Sequence, residues 1–250
     1  MVHFVGAGSG AIDLITIRGK RLLEEADVII YAGSLVNEEL LDFAAHSCEI
    51  HNSAKMTLEE VIDVIKKAES ENKTTVRLHT GDPSIYGAIR EQMRDLDELG
   101  IEYDVCPGVS SFCGAAASLK AEYTLPDISQ TVIITRVEGR TPMPPNEKLA
   151  ALAAHGATMV LFLSVGLAVK TQKGLLEGGY PPETPVAIVY KATWADERIY
   201  RCTVATLAET IKNNDITKTA LITVGNFLGD DFGRSKLYHP KFTTEYRASQ

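Results

Sequence analysis

Short apolar runs alternate along the chain with stretches whose apolar residues recur at helical spacing. In the first half the runs predict strands over 2–5, 28–31, 48–51, 74–79 and 102–106. The intervening stretches predict helices over 17–25, 37–45, 58–70, 86–99 and 111–119. Terminal signals support several bounds. Thr16 stands as N-cap before Ile17, and Leu22, Leu23 and Ala26 then share one face. Thr57 followed by Glu60 has capping-box spacing. Gly100 is a stop after Leu99. Alternation of this kind means an α/β domain with a mainly parallel sheet.

Residues 121–130 hold a proline and several polar residues without periodicity, and are the candidate linker. Beyond them the pattern resumes, with strands over 131–135, 159–163, 186–190, 198–202 and 220–224. Helices are expected over 146–155, 166–177 and 204–213, and residues 140–145 form a proline-rich loop. The expected division is therefore an α/β domain over 1–121, a second α/β domain over 122–228 and a polar tail over 229–250. The tail is expected to be a mobile end or an arm across a partner subunit.

Composition narrows the function classes. The chain has 250 residues, 45% of them hydrophobic and 23% charged, as in soluble globular proteins. A net charge of −8 gives no general case for nucleic acid or an anionic membrane. The apolar run 159–169 is interrupted by Ser164 and Gly166 and is too short to span a bilayer. The N-terminus shows no basic region ahead of an apolar stretch, so a cytoplasmic location is expected. Cys48, Cys106, Cys113 and Cys202 form no C-x-x-C pair, and the histidines form no helical H-x-x-x-H. A reduced compartment and no protein-bound metal follow.

Gly6, Gly8 and Ala11 have the spacing of a dinucleotide fingerprint after a strand. Two features argue against that function. The helix begins at Ile17 rather than at the glycines, and no acid follows the second strand to hold a ribose. In an open parallel sheet, ligands bind beyond the carboxyl ends of the strands. Three loops rich in glycine, proline and hydroxyls lie there: 6–10, 79–87 and 107–111. His79 is the histidine at a strand end, and a lone histidine there is more often packed than catalytic. No nucleophile-and-base arrangement stands out, which favours chemistry carried by a cofactor and substrate.

The segments 5–16 (VGAGSGAIDLIT), 77–87 (RLHTGDPSIYG), 107–111 (PGVSS) and 185–194 (PVAIVYKATW) resemble the ordered signature blocks of the tetrapyrrole methyltransferases. The resemblance runs to about Phe227. Segments 31–36, 135–144 and 192–194 look like the branch that methylates C-11 of precorrin-4, or of cobalt-precorrin-4, in cobalamin biosynthesis. The resemblance implies a homodimer of two-domain subunits, the first sheet mainly parallel and the second mixed. It also implies S-adenosylmethionine bound in the cleft between the domains, leaving S-adenosylhomocysteine as product.

The resemblance assigns Thr80, Gly81, Asp82 and Ile85 to the methionine and ribose of the donor, Ser110 and Ser111 to hydrogen bonds with it, and Leu163, Ser164, Tyr190 and Ala192 to the adenine. It sets Gly8, Ser9 and Gly10 beside the tetrapyrrole, although Ser9 departs from the family's usual proline and Ala11 from its usual acid. A substrate rich in carboxylates needs local cations. Lys55, Arg77, Arg136, Arg140 and Arg198 are candidates, with Arg136 and Arg140 preferred for bidentate grip. No catalytic acid or base is assigned. The alternatives are a sibling methyltransferase acting at C-17 or C-20, a nicotinamide-dependent dehydrogenase, and a non-catalytic anion- or RNA-binding module.

Overall fold

The computed structural model describes residues 1–33 and 35–248. Ser34, inside one of the branch-like segments, and the last two tail residues lie outside them. The chain divides into two compact units. One comprises Met1–Ala115 with Lys191–Glu197, the other Ala116–Tyr190 with Arg198–Gln250. The contact boundary thus falls inside a helix near the expected linker, and a short distant segment joins the first unit.

The first unit holds a parallel sheet of β1 (Val2–Gly6), β2 (Val28–Tyr31), β3 (Glu49–Asn52), β4 (Thr75–His79) and β5 (Tyr103–Cys106), in the order β3-β2-β4-β1-β5. Successive residues of β1, β2 and β4 point to opposite faces, and both faces are buried, which is why these strands are apolar runs. On one face Val5, Ile29, Val76 and Leu78 pack with Leu22 and Leu23 of α1 (Ile17–Glu24). On the other, Val2, Phe4, Val28 and Ile30 pack with Ile62 and Ile65 of α2 (Leu58–Ser70) and Leu96 of α3 (Ile89–Leu99). Thr16 caps α1 by accepting from the Gly19 N–H at 3.0 Å. Thr57 and Glu60 form the reciprocal box that starts α2. α4 (Ser111–Leu119) follows β5.

The second unit is built on a mixed sheet of β6 (Val132–Arg136), β7 (Thr158–Phe162), β8 (Pro185–Tyr190), β9 (Arg198–Thr203) and β10 (Ala220–Val224), in the order β6-β7-β10-β8-β9. β6 and β7 are parallel, and β10 runs antiparallel between β7 and β8. Met159, Leu161, Val186, Ile188, Ile222 and Val224 alternate onto one face, where α5 (Leu149–Ala153), α6 (Ala168–Glu177) and α7 (Leu207–Asn213) bring Leu149, Leu175, Leu207 and Ile211.

Several expected helices are corrected. The helix expected at 86 starts at Ile89, because Tyr86 and Ala88 have φ of 56° and 51° and cannot continue a right-handed turn. Residues 38–43 form a 3₁₀ helix in place of the α-helix expected over 37–45. α6 and α7 begin with 3₁₀ turns, which shortens their α segments, and the helix expected at 146 starts at Leu149, after a 3₁₀ turn over Pro145–Glu147 and an extended Lys148. The candidate linker is partly seated: Tyr123 and Leu125 are buried, and the Tyr123 carbonyl accepts from the Thr158 hydroxyl at 2.9 Å. In the tail, the Arg247 guanidinium donates to the carbonyls of Leu237 and His239 at 2.9 and 3.0 Å, so these residues fold on themselves.

Thr57→Ala removes the hydroxyl that satisfies the Glu60 N–H. A loss of about 1 kcal/mol is expected, seen as a lower urea midpoint with an unchanged slope.

Candidate active site

β4, β1 and β5 are neighbours in one parallel sheet, so the loops at their carboxyl ends adjoin. What brings them into contact is the absence of side chains. A Cβ on Gly6 would lie 2.6 Å from the Gly108 Cα and 2.6 Å from the Gly81 carbonyl oxygen. A Cβ on Gly108 would run into the same carbonyl. Backbone hydrogen bonds complete the junction: Ala7 N–H to the His79 carbonyl at 2.7 Å, and Gly81 N–H to the Gly8 carbonyl at 2.9 Å.

Asp82 ties the β4 loop to the β5 loop. One carboxylate oxygen accepts from the Gly108 N–H at 2.9 Å, the other from the Ser84 N–H at 2.9 Å and from the Ser84 hydroxyl. Burial opposes its ionisation, but these three donors outweigh burial and hold the carboxyl below the usual aspartate range. Gly81, with φ of 62°, turns the chain so that its Cα lies against Ser110 and Ser111; a Cβ there would sit 3.4 Å from the Ser110 Cα and the Ser111 nitrogen. Ile85 closes the turn through its N–H to the Asp82 carbonyl at 3.2 Å. Thr80, Gly81, Asp82, Ile85, Ser110 and Ser111 therefore share one edge of the first unit.

Among the described residues, two side-chain atoms at the end of β4 are buried without a hydrogen-bond partner: His79 Nε2 and Thr80 Oγ1. Groups of this kind ask for an explanation. Burial first, and then the Arg77 charge, push His79 down to about 3, so the ring is neutral at ordinary pH. It packs 6.0 Å from the Phe4 ring. The Thr80 hydroxyl stands beside the Gly81–Asp82 turn.

The glycine loop is closely packed and covered within the first unit. Residues 6–10 are all buried. The Thr193 hydroxyl meets the Ser9 hydroxyl at 3.0 Å and accepts from the Ala11 N–H at 3.1 Å. A Cβ on Gly10 would overlap the Trp194 indole. The space a pyrophosphate would need is filled by protein, and a 3₁₀ turn over Ile12–Leu14 separates the glycines from α1. Both points count against a nicotinamide site.

Within the second unit, β6, β7 and β8 run in one direction, so Arg136, Leu163 and Tyr190 mark the same edge of its sheet. Leu163 is 62% exposed with φ of 51°, a conformation that costs a branched residue of order 1 kcal/mol or more. Lys191 and Thr193, which follow β8, are also left-handed, at 48° and 69°. Ser164 departs from its expected role: it is fully buried, and its hydroxyl donates to the Phe162 carbonyl at 2.7 Å and accepts from the Val137 N–H at 2.8 Å. Its side chain braces the Leu163 turn.

The candidate cations separate. Arg77 is buried and is no surface grip. Arg136 donates to the Thr141 and Pro142 carbonyls at 3.3 and 2.9 Å, so it closes its own loop instead of pairing with Arg140. Lys55, Arg140 and Arg198 are exposed. Among the described residues, no group of three or more metal-ligating side chains gathers, and no helix is long and apolar enough to cross a membrane.

Residues 1–208 match the model of the tetrapyrrole (corrin/porphyrin) methylases. The chain belongs to that family. Over 249 residues it is 58% identical to the cobalt-precorrin-4 C(11)-methyltransferase of Methanocaldococcus jannaschii, covering 99% of this chain and 96% of that protein. It is similar to the X-ray structure of a cobalamin biosynthetic enzyme, cobalt precorrin-4 methyltransferase, with a TM-score of 0.89 and 46% identity, over 92% of this chain and 96% of that one. It is also similar to uroporphyrin-III C-methyltransferase from Thermus thermophilus complexed with S-adenosylhomocysteine, with a TM-score of 0.78 and 28% identity, over 91% and 98% of the two chains. The loops over 6–10, 79–87 and 107–111, which carry the sequence resemblance, are the ones that Gly6, Gly81 and Gly108 draw together.

The neutral state of His79 makes stability depend on pH. Below about 6.5 the unfolded chain binds a proton at this position, and the folded chain does not until about 3. Stability contributed by His79 is therefore lost as pH falls between those values, by roughly 1.4 kcal/mol per unit. Urea unfolding of His79→Phe from about pH 7 down to about pH 4 is expected to show a shallower decline than the parent. An equally steep decline would remove His79 as its source.

Proposed function

We propose that the chain transfers a methyl group from S-adenosylmethionine to ring carbon C-11 of precorrin-4, or of cobalt-precorrin-4, in cobalamin biosynthesis. The observation that carries this is the likeness, along nearly the whole of both chains, to the Methanocaldococcus jannaschii enzyme of that specificity. Supporting the methyl donor is the Thermus thermophilus relative described with S-adenosylhomocysteine.

The residues at the β4 edge fit such a donor. Thr80 offers a buried hydroxyl without a protein partner, and Gly81 brings bare backbone to the same place. Asp82 is ionised, and a carboxylate that holds three protein donors still has lone-pair capacity for a ribose hydroxyl. In this assignment Thr80, Gly81 and Asp82 hold the methionine and ribose parts with Ile85 beside them. Ser110 and Ser111 supply further hydrogen bonds. Leu163, Tyr190 and Ala192 take the adenine, for which the exposed, strained Leu163 is an apolar platform. Ser164 holds the Leu163 turn.

When bound, the donor supplies a methyl group already activated on a sulfonium sulfur. No protein nucleophile is required, and none is assigned. The chain's residues orient the reactants and exclude water. The glycine junction fixes the three loops, so little reorganisation accompanies binding. In this assignment Gly8, Ser9 and Gly10 lie beside the tetrapyrrole, held by Thr193 and Trp194. Arg140 is the exposed cation for substrate carboxylates, with Arg136 stiffening its loop. The family resemblance further supports a homodimer in the cytoplasm. The net charge of −8 supports a partner list without nucleic acid or an anionic membrane surface.

Incubation with methyl-labelled S-adenosylmethionine and precorrin-4, with and without cobalt, is expected to place the label at C-11 by NMR. Label at C-17 or C-20 would assign a sibling reaction, and NADH binding without methyl transfer would assign a dehydrogenase. Asp82→Ala is expected to unfold cooperatively and to bind S-adenosylhomocysteine at least about tenfold more weakly, the worth of one charge-assisted hydrogen bond. Unchanged affinity in that folded variant takes Asp82 out of the site.

A further inference from the structure

Arg77 sits in the middle of β4, 7% exposed, and among the described residues no carboxylate pairs with it. A guanidinium seldom occupies such a place without a partner. Its hydrogen bonds show what it does there. One terminal nitrogen donates to the Ile30 carbonyl on β2 at 3.0 Å, and Nε donates to Gln92 Oε1 on α3 at 3.1 Å. Gln92 is itself buried, and its Nε2 donates to the Ala88 carbonyl at 3.2 Å.

We propose that Arg77 and Gln92 form a positioning relay that sets the turn over 86–88, and through it the loop over 80–85. This rests on the assignment of that loop to the methyl donor. The logic lies in donor and acceptor types. An arginine can only donate, so it fixes the glutamine with its oxygen toward β4. The amide nitrogen must then face away, toward Ala88. Neither end can flip without leaving the guanidinium unsatisfied.

Ala88 needs such a hold. Its φ of 51° and the 56° of Tyr86 are conformations that alanine and tyrosine reach at a cost, and Ala88 has no side-chain cap to offer α3. Between them Gly87 is folded so tightly that a Cβ would strike the Pro83 carbonyl oxygen. A shift at Ala88 is therefore passed back to Pro83 and Asp82 with little slack. The buried cation is a fixed point in the sheet from which the binding loop is measured.

Gln92→Glu separates the relay from mere stability. The carboxylate still accepts from Arg77, now as an ion pair, but it has no donor for the Ala88 carbonyl. A thermal midpoint at or above that of the parent is expected. Calorimetry should show S-adenosylhomocysteine binding about tenfold weaker, the worth of one hydrogen bond. In turnover, KM for S-adenosylmethionine should rise while kcat changes little. Adding Ala88→Gly should recover most of the loss, because glycine holds the left-handed turn without help.

Affinity within twofold of the parent in folded Gln92→Glu overturns the relay, as does failure of Ala88→Gly to rescue. Should Gln92→Glu not fold, the pair Arg77→Met with Gln92→Leu removes charge and partner together and is expected to show the same tenfold loss; unchanged affinity there also overturns it. A parent chain that does not bind S-adenosylhomocysteine contradicts the cofactor assignment instead.

Discussion

Three strands of the first sheet end where their backbones touch without intervening side chains. Gly6, Gly81 and Gly108 lie so close that a single methyl group at Gly6 or Gly108 would occupy a neighbour's space. Everything else at this edge depends on that approach. Because the β5 loop meets the β4 loop at Gly108 without a side chain between them, Asp82 can reach the Gly108 N–H, and the β4 loop is held to the β5 loop by one carboxylate. Because Gly81 turns left-handed, Ser110 and Ser111 come to lie beside it. A fold that packed ordinary side chains here would push the three loops apart and leave no shared edge.

The same economy of contact carries local strain. Tyr86, Ala88, Leu163, Lys191 and Thr193 are left-handed, and each follows the carboxyl end of a strand. Strained residues persist only where their surroundings over-determine them. Here the surroundings are specific: Gln92 for Ala88, the Ser164 hydroxyl near Leu163, the Glu197 carboxylate on the Thr193 N–H at 2.5 Å. Loops held in this way need little ordering when a ligand arrives, so more of the contact free energy remains for binding.

Much of this was legible in the sequence. Strands were placed within a residue or so because a strand buried on both faces is an uninterrupted apolar run, as in Val28–Tyr31. Helix starts were legible where a cap announced them, at Thr16 and Thr57, and misplaced where the chain first passes through left-handed residues, at Tyr86 and Ala88. The three loops were found because alternation of strands and helices implies parallel strands, whose carboxyl ends share one edge of the sheet. Arg77 was misjudged since charged residues are usually solvated, and only the fold supplies Ile30 and Gln92 as partners. Ser164 was misjudged for the opposite reason: a hydroxyl at a strand end looks available until Val137 and Phe162 are seen to use it. The Ser9–Thr193 contact joins residues 184 positions apart, and no local pattern reports that.

That last contact has a consequence for how the molecule comes into being. The first unit consists of Met1–Ala115 and of Lys191–Glu197, which cover its glycine loop. On a ribosome adding roughly 5–20 residues per second, the parallel sheet emerges seconds before the segment that seals it. During that interval Ser9 and Gly10 stand uncovered, awaiting a hydroxyl and an indole encoded far downstream. Chain termination after β5 but before residue 191 would leave every strand of the first sheet made and its glycine loop unsealed. The order of synthesis thus makes the covering of that loop one of the latest steps in the maturation of the first unit.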